Sequence, residues 1–151
     1  MVLWQAGVIL LFTVFVSIGD SFFLPCGIPL VEDWNEKALA ERFPQDIPVM
    51  PLNRAIFLFR EDAAVFIDAR PPDAYRKGHI KGALNLPWSD VETSFVTVAE
   101  QIDPEQPIIT YCDGVSCDLS HKLTRFLMDV GFEDVYVFID GWGRWEAMCL
   151  P

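Results

Sequence analysis

The stretch TYCDGVSCDLS places two cysteines between an apolar run and an amphipathic one. Cys112 ends the apolar run, and Cys117 follows five residues later, where a helical pattern begins. A sulfur among converging backbone N–H groups near a helix N-terminus is stabilised as a thiolate, the nucleophilic form of cysteine. The spacing therefore favours a nucleophilic Cys112. The alternative is that Cys112 is a small buried apolar residue and Cys117 has no chemical role.

The residues between and after the two cysteines suit a strand-to-helix turn. Gly114 permits a tight turn, Ser116 can cap locally, and Asp118 can cap the following helix. We therefore predict a substrate-binding loop made of Asp113, Gly114, Val115, Ser116 and Cys117. Because two cysteines with no second His or Cys pair cannot complete a zinc site, we expect no metal.

The elements that must position this loop follow from the pattern beyond Pro51. Apolar runs at 63–68, 83–87, 107–112 and 135–139 predict strands, and amphipathic stretches at 52–62, 71–78, 89–102, 118–132 and after 140 predict helices. This alternation predicts an α/β domain with a parallel sheet flanked by helices on both faces. Ligands bind such sheets at the carboxyl ends of the strands, where Cys112 lies.

Individual residues mark the predicted helix ends. Asn53 is a candidate N-cap of the first helix, and Ser89 or Asp90 of the third. Gly131 is a candidate C′ residue of the helix that follows the cysteines.

The N-terminus has a different character. Residues 2–18 carry no charge and would form a helix of about 26 Å, at the short end of what spans a bilayer. We predict a transmembrane signal-anchor helix at 1–20, a linker at 21–50 with a short helix at 35–42, and the domain at 51–151. A cleaved signal peptide and a helix taken from a larger membrane protein are the alternatives. Acidic residues after the helix favour a single-pass protein with its domain outside the cytoplasm, periplasmic in a bacterium.

The charge balance restricts the partners. The chain has a net charge of −11, and all 11 Lys and Arg lie beyond residue 31. Such an acidic domain argues against nucleic acid as a partner. No disulfide scaffold is expected from four cysteines, and we assign no role to Cys26 or Cys149.

Two motifs carry a family resemblance. FIDARPPDAYRKGHIKGALNLP (66–87) and PIITYCDGVSCDLSHKLTRFLMDVGFEDVYVFIDGWGRWEA (107–147) resemble the rhodanese-like domain of single-domain sulfurtransferases. GIPLVEDW (27–34) behind the apolar N-terminus resembles the membrane-anchored members. The resemblance implies that Cys112 takes sulfur from a donor, holds it as a persulfide among the N–H groups of the loop, and passes it to a thiol acceptor. It implies no organic cofactor.

The loop departs from the family pattern in its charge. Many members have Arg or Lys in the loop and Arg at the position of Cys117, whereas this loop has no basic residue and is flanked by Asp113 and Asp118. Nearby carboxylates disfavour a thiolate and a dianionic donor. We therefore expect thiosulfate to be a poor donor and a polysulfide, a persulfide or a protein partner to serve instead. The missing Arg also argues against the related cysteine phosphatases.

Two other functions stay open. The chain could be a non-catalytic rhodanese-like module that binds a basic partner, or a dithiol redox protein using Cys112 and Cys117. Within the sulfurtransferase hypothesis, Cys117 either acts as a resolving thiol that attacks the persulfide or packs under the loop.

The resemblance also implies supporting residues. Asp68 and Arg70 are expected to brace neighbouring loops by charged hydrogen bonds. Trp142 follows the last strand and is expected as a lid, or else in the rim or core.

The two histidines are predicted to take no part in the chemistry. His79 has no spaced partner to orient it as a general base, so we predict a structural role, and His121 is expected to be solvated. Tyr111 and Phe126 are expected in the core.

Overall fold

The computed structural model describes residues 47–114 and 117–151. The predicted N-terminal membrane helix, most of the predicted linker, and Val115 and Ser116 of the loop lie outside these residues. Within the described ranges, no helix combines the length and apolarity that crossing a bilayer requires.

Helices and strands alternate along the described chain. The helices are α1 (Leu52–Arg60), α2 (Pro72–Lys77), α3 (Val91–Ala99), α4 (Leu119–Asp129) and α5 (Gly141–Ala147), and a 3₁₀ turn covers Trp88–Asp90. The strands are β1 (Val65–Asp68), β2 (Leu84–Asn85), β3 (Ile108–Tyr111) and β4 (Val135–Phe138). They form a parallel sheet in the order β2-β1-β3-β4. The predicted α/β architecture is therefore confirmed, with most elements shorter than their patterns.

Helices cover both faces of the sheet, as predicted, because neighbouring strand residues point to opposite sides. Phe66 of β1 packs with Tyr111, Phe138 and Trp145 on the face of α1 and α5. Ile67, the next residue, packs on the face of α3 and α4. All four residues of β3 are buried, as expected of a strand covered on both sides. Each fully buried large apolar side chain contributes about 1.5–3 kcal/mol.

Residues 47–50 line the outer edge of β4. The Met50 N–H donates to the Val137 carbonyl at 2.8 Å, and the Val137 N–H donates to the Pro48 carbonyl at 2.9 Å. Val49 forms a parallel bridge with Val137, and Ile47 packs with Val137 and Ile139. The end of the segment assigned to the linker thus belongs to the packed domain and covers a sheet edge.

Helix α4 ends as predicted but begins differently. Gly131 has a φ of +106°, and the N–H groups of Gly131 and Phe132 donate to the carbonyls of Met128 and Leu127, a Schellman motif. At the other end, Asp118 makes no side-chain cap. Its backbone is helical rather than extended, and its carboxylate pairs with Lys122 at 2.6 Å.

The other predicted caps are also wrong. Helix α1 begins at Leu52, before Asn53, after the extended Pro51. Asp90 precedes α3 but makes no side-chain cap hydrogen bond, because the 3₁₀ turn leads directly into the helix.

Candidate active site

Cys112 follows β3 at the carboxyl end of an inner strand and is 1% exposed. Its Sγ lies 3.3 Å from the Cys117 carbonyl oxygen, 3.9 Å from the Gly114 carbonyl oxygen and 3.3 Å from the Ser120 Oγ. The loop and the first turn of α4 thus enclose the sulfur. The predicted position at the strand end is where the structure places it.

The start of α5 orients the loop. The Trp142 N–H donates to the Cys112 carbonyl at 2.7 Å, and the Gly143 N–H donates to the Asp113 carbonyl at 3.2 Å. In a trans peptide the N–H points opposite to the carbonyl of the same unit. Anchoring the Cys112 carbonyl therefore turns the Asp113 N–H away from α5, and this N–H lowers the pKa of Cys117.

Gly141 permits this close approach. Its φ is +62°, and a Cβ there would lie 2.3 Å from the Cys112 carbonyl oxygen and 2.8 Å from the Gly114 nitrogen. A side chain would thus meet both a backbone conformation that favours glycine and a collision with the loop.

The thiols of Cys112 and Cys117 interact and shift each other's pKa in opposite directions. The interaction lowers the pKa of Cys117 to about 6 against the opposing effect of burial, and the Leu119 and Asp113 N–H groups lower it further. The same interaction, followed by burial, raises the pKa of Cys112 far above its ordinary value, although Ser120 opposes the shift. The Cys112 sulfur also faces the carbonyl oxygens of Gly114 and Cys117, which favour its protonated form. The nucleophilic thiolate expected at Cys112 stays a prediction.

Arg70 connects the loop to the first motif. Its guanidinium donates to Asp68 at 2.6 to 3.1 Å, to the Asp113 carboxylate at 3.1 Å and to the Gly78 carbonyl at 2.7 Å. Burial would lower the pKa of Arg70, but the hydrogen bonds and charge of Asp68 outweigh it and raise the pKa. The geometry matches the bracing role expected of Asp68 and Arg70.

The comparisons with known proteins agree with this architecture. The family model of the Rhodanese-like domain matches residues 57–148. The chain belongs to the rhodanese-like domain family. The thiosulfate sulfurtransferase GlpE of Coxiella burnetii is 32% identical over 91 residues, which are 60% of this chain and 78% of GlpE.

Solved rhodanese-like structures are also similar. A rhodanese-like domain from Anabaena is 26% identical with a TM-score of 0.50, covering 59% of this chain and 97% of that one. An EanB complex with ergothioneine covalently linked with a persulfide is 25% identical with a TM-score of 0.54 and covers 62% of this chain. This chain spans 24% of that larger protein.

Trp142 lies against the first motif in this rhodanese-like domain. It is half-buried, its ring lies 5.5 Å from the Arg70 guanidinium carbon, and a Cβ on Gly78 would come within 2.6 Å of it. The side chain therefore covers Arg70 while the backbone N–H holds the Cys112 carbonyl. Of the places expected for Trp142, this half-buried one corresponds to the rim.

Among the described residues, two cations contact the loop or its flank, and each is paired with an acid. Arg70 is shared between buried Asp68 and Asp113, whose side chain is 71% exposed. Lys122 pairs with Asp118. No described cluster of three or more His, Cys, Asp or Glu residues could hold a metal ion.

Ser120 is a site residue that the sequence reasoning missed. It is 1% exposed, its hydroxyl lies 3.3 Å from the Cys112 sulfur, and its hydroxyl and N–H both act to lower the pKa of Cys112. Its carbonyl accepts hydrogen bonds from Thr110 and Thr124, which fix the first turn of α4. A serine in the first turn of a helix that follows a reactive cysteine was the available signal.

Other residues stand as follows. His79 is stacked on Tyr75 and bonded to its carbonyl oxygen at 2.9 Å, in agreement with a structural role. His121 is 8% exposed, which corrects the expectation that it is solvated, since α4 turns this residue inward. Burial lowers the pKa of His121, and the charge of Asp118 opposes this effect.

Cys149 is disulfide-bonded, which corrects its assignment to no role, and Cys26 lies outside the described residues.

The predicted core aromatics differ in burial. Tyr111 is fully buried, and Phe126 is partly buried against Trp88 and Phe95.

Proposed function

We propose that this rhodanese-like domain is a sulfurtransferase that carries sulfane sulfur as a persulfide on Cys112. The observation that carries the proposal is the cysteine after β3, enclosed by the loop and 3.3 Å from the carbonyl oxygen of a second cysteine whose pKa is lowered to about 6. The sulfurtransferase relative GlpE and the persulfide recorded in EanB support it.

The chemistry uses the two sulfurs in turn. The Cys112 thiol transfers its proton to the Cys117 thiolate and attacks the outer sulfur of a donor R–S–SH. The donor S–S bond breaks, and R–S⁻ leaves with the bonding electrons and takes the proton from Cys117. An acceptor thiolate then attacks the outer sulfur of the Cys112 persulfide, which leaves Cys112 as a thiolate.

The charges favour a donor other than thiosulfate. The exposed Asp113 carboxylate borders the loop, and the nearby cations Arg70 and Lys122 are already paired. A dianion would meet net repulsion there. We propose a polysulfide or a low-molecular persulfide as the donor and a thiol, small or on a protein partner, as the acceptor.

Turnover measurements test the function. We expect the full chain to consume inorganic polysulfide in the presence of a small thiol, and Cys112→Ser to lose at least about 100-fold of the rate. The exposed Ser89→Ala variant is the control and should match the unaltered chain. An equal rate in Cys112→Ser would refute the proposal. If no sulfur were bound or consumed, the non-catalytic interaction module would be favoured.

The donor preference has its own test. Thiosulfate should give a rate at least about tenfold below that of polysulfide, and Asp113→Asn should narrow the gap. A thiosulfate rate equal to the polysulfide rate would contradict the electrostatic argument.

We also propose that residues 1–20 anchor the protein in a membrane, with the domain from residue 51 onward outside the cytoplasm. The uncharged N-terminal segment supports the anchor, and the disulfide at Cys149 suits an oxidising compartment. Alkaline extraction of membranes should leave the full chain in the pellet, whereas a chain lacking residues 1–20 should appear in the supernatant. Release of the full chain would refute the anchor.

A further inference from the structure

Cys117 lies next to the sulfur of Cys112. Its carbonyl oxygen lies 3.3 Å from the Cys112 Sγ, and the two thiols shift each other's pKa. Both cysteines are free thiols, and Cys117 is the more exposed of the two. The chain therefore places a second nucleophile beside the sulfur that would carry the persulfide.

Loading sulfur on Cys112 changes the chemical surroundings of the Cys117 thiol. In the resting site the Cys112 thiol and the Asp113 and Leu119 N–H groups all lower the pKa of Cys117. Once Cys112 carries an extra sulfur, its Sγ no longer bears a proton. Cys117, whose carbonyl oxygen lies 3.3 Å from this Sγ in the resting site, is then next to an electrophilic sulfur.

We propose that Cys117 is the built-in acceptor, attacking the Sγ of persulfidated Cys112 and expelling the extra sulfur as hydrosulfide; this rests on the proposed function. The Sγ–Sγ bond forms, the bond from Cys112 Sγ to the outer sulfur breaks, and HS⁻ leaves with the electron pair and the persulfide proton. The sulfane sulfur is reduced to sulfide, and the two cysteines are oxidised to a disulfide. Two equivalents of an external low-molecular thiol reopen the disulfide and become a disulfide themselves.

The proposal changes the expected product. A shuttle using Cys112 alone hands intact sulfane sulfur to its acceptor, whereas the dithiol site releases sulfide even without an acceptor. The same pair also accounts for the dithiol redox hypothesis, because the disulfide becomes one stage of the sulfur cycle. Intramolecular attack by a positioned thiolate is strongly favoured over attack by a dilute external thiol.

Intact mass and sulfide release test the inference. The full chain, with Cys112 and Cys117 reduced, is mixed without oxygen or added thiol with one equivalent of a low-molecular persulfide R–S–SH. Because loading then releases R–S⁻, sulfide is formed only when Cys117 attacks the persulfide. We expect the unaltered chain to release sulfide and lose about 2 Da, with a peptide linking Cys112 to Cys117. Cys117→Ser should gain about 32 Da and release sulfide at least about tenfold more slowly until a small thiol is added. Ser89→Ala should behave as the unaltered chain.

The outcomes separate the inference from the function beneath it. A stable gain of about 32 Da in the unaltered chain, or equal sulfide release by Cys117→Ser, overturns the resolving role and leaves the sulfurtransferase intact. Absence of any added sulfur, linkage or sulfide in both proteins overturns both. If Cys117→Ser does not fold, as judged by circular dichroism, Cys117→Ala replaces it, and the linked peptide in the unaltered chain decides.

Discussion

Replacing Arg70 with methionine should strongly destabilise the domain. The guanidinium holds the carboxylate of Asp68, which is 0% exposed, through hydrogen bonds as short as 2.6 Å. Methionine is apolar and of similar length, so the substitution leaves a buried carboxylate without its counter-charge. Breaking a buried ion pair from one side costs about 3–5 kcal/mol. That is a large part of the roughly 5–15 kcal/mol that stabilises a typical domain.

The other partners of Arg70 should matter less. Asp113 has a side chain that is 71% exposed, so Asp113→Asn should cost less than about 1 kcal/mol. Removing both buried charges in Asp68→Asn with Arg70→Met should cost less than the sum of the two single changes, because the orphaned charge is gone. The exposed Arg60→Met is the matched control and should stay within about 0.5 kcal/mol of the unaltered chain.

Urea unfolding followed by circular dichroism measures these differences in the free energy of unfolding. In thermal unfolding, about 4 °C per kcal/mol is expected for a domain of this size, so the melting temperature of Arg70→Met should fall by about 12–20 °C. If Arg70→Met were as stable as Arg60→Met, the buried ion pair of Arg70 and Asp68 would not stabilise the domain and the reasoning would fail.

Two further changes probe the loop itself. Gly141→Ala should destabilise the domain by about 2 kcal/mol or more and slow sulfur loading, because the new Cβ would collide with the Cys112 carbonyl. Gly82→Ala is the control, since Gly82 has a φ of +83° but open space around it. It should cost only about 1 kcal/mol in the same urea assay and leave sulfur loading unchanged. The rate of Cys117 alkylation by iodoacetamide should rise with pH through a midpoint near the lowered pKa of about 6. Cys112→Ala should move that midpoint up toward about 8.5, since it removes the largest cause of the lowered pKa, and an unmoved midpoint would contradict the interaction of the two thiols.

Local patterns were sufficient to predict the elements. The apolar runs at 63–68 and 107–112 contain the neighbouring parallel strands β1 and β3, in which Asp68 pairs with Tyr111. Continuous apolar runs are expected of strands that are buried on both faces. Gly131 ends α4 as expected, since few other residues tolerate its φ of +106°. The place of Cys112 at a strand end followed from the same alternation.

Long-range contacts could not be read from these patterns. The pairing of Val49 with Val137 joins residues far apart in the chain and depends on which strand lies at the edge. The inward side of α4, which buries His121, is set by packing on the sheet.

The surroundings of the Cys112 sulfur were also out of reach of the sequence. The carbonyl oxygens of Gly114 and Cys117 face this sulfur, and the start of α5 anchors the Cys112 and Asp113 carbonyls. The residue types predicted a thiolate at Cys112, but not the carbonyl oxygens that oppose it.

Peptide mass spectrometry after sulfur loading tests the central claim most directly. The Cys117→Ser chain, which cannot form the internal disulfide, is treated with polysulfide without oxygen, alkylated and digested. We predict an added sulfur of about 32 Da on Cys112 in the loop peptide, and none when Cys112 is also replaced by serine. Added sulfur found only at other residues, or none at all, would contradict the account.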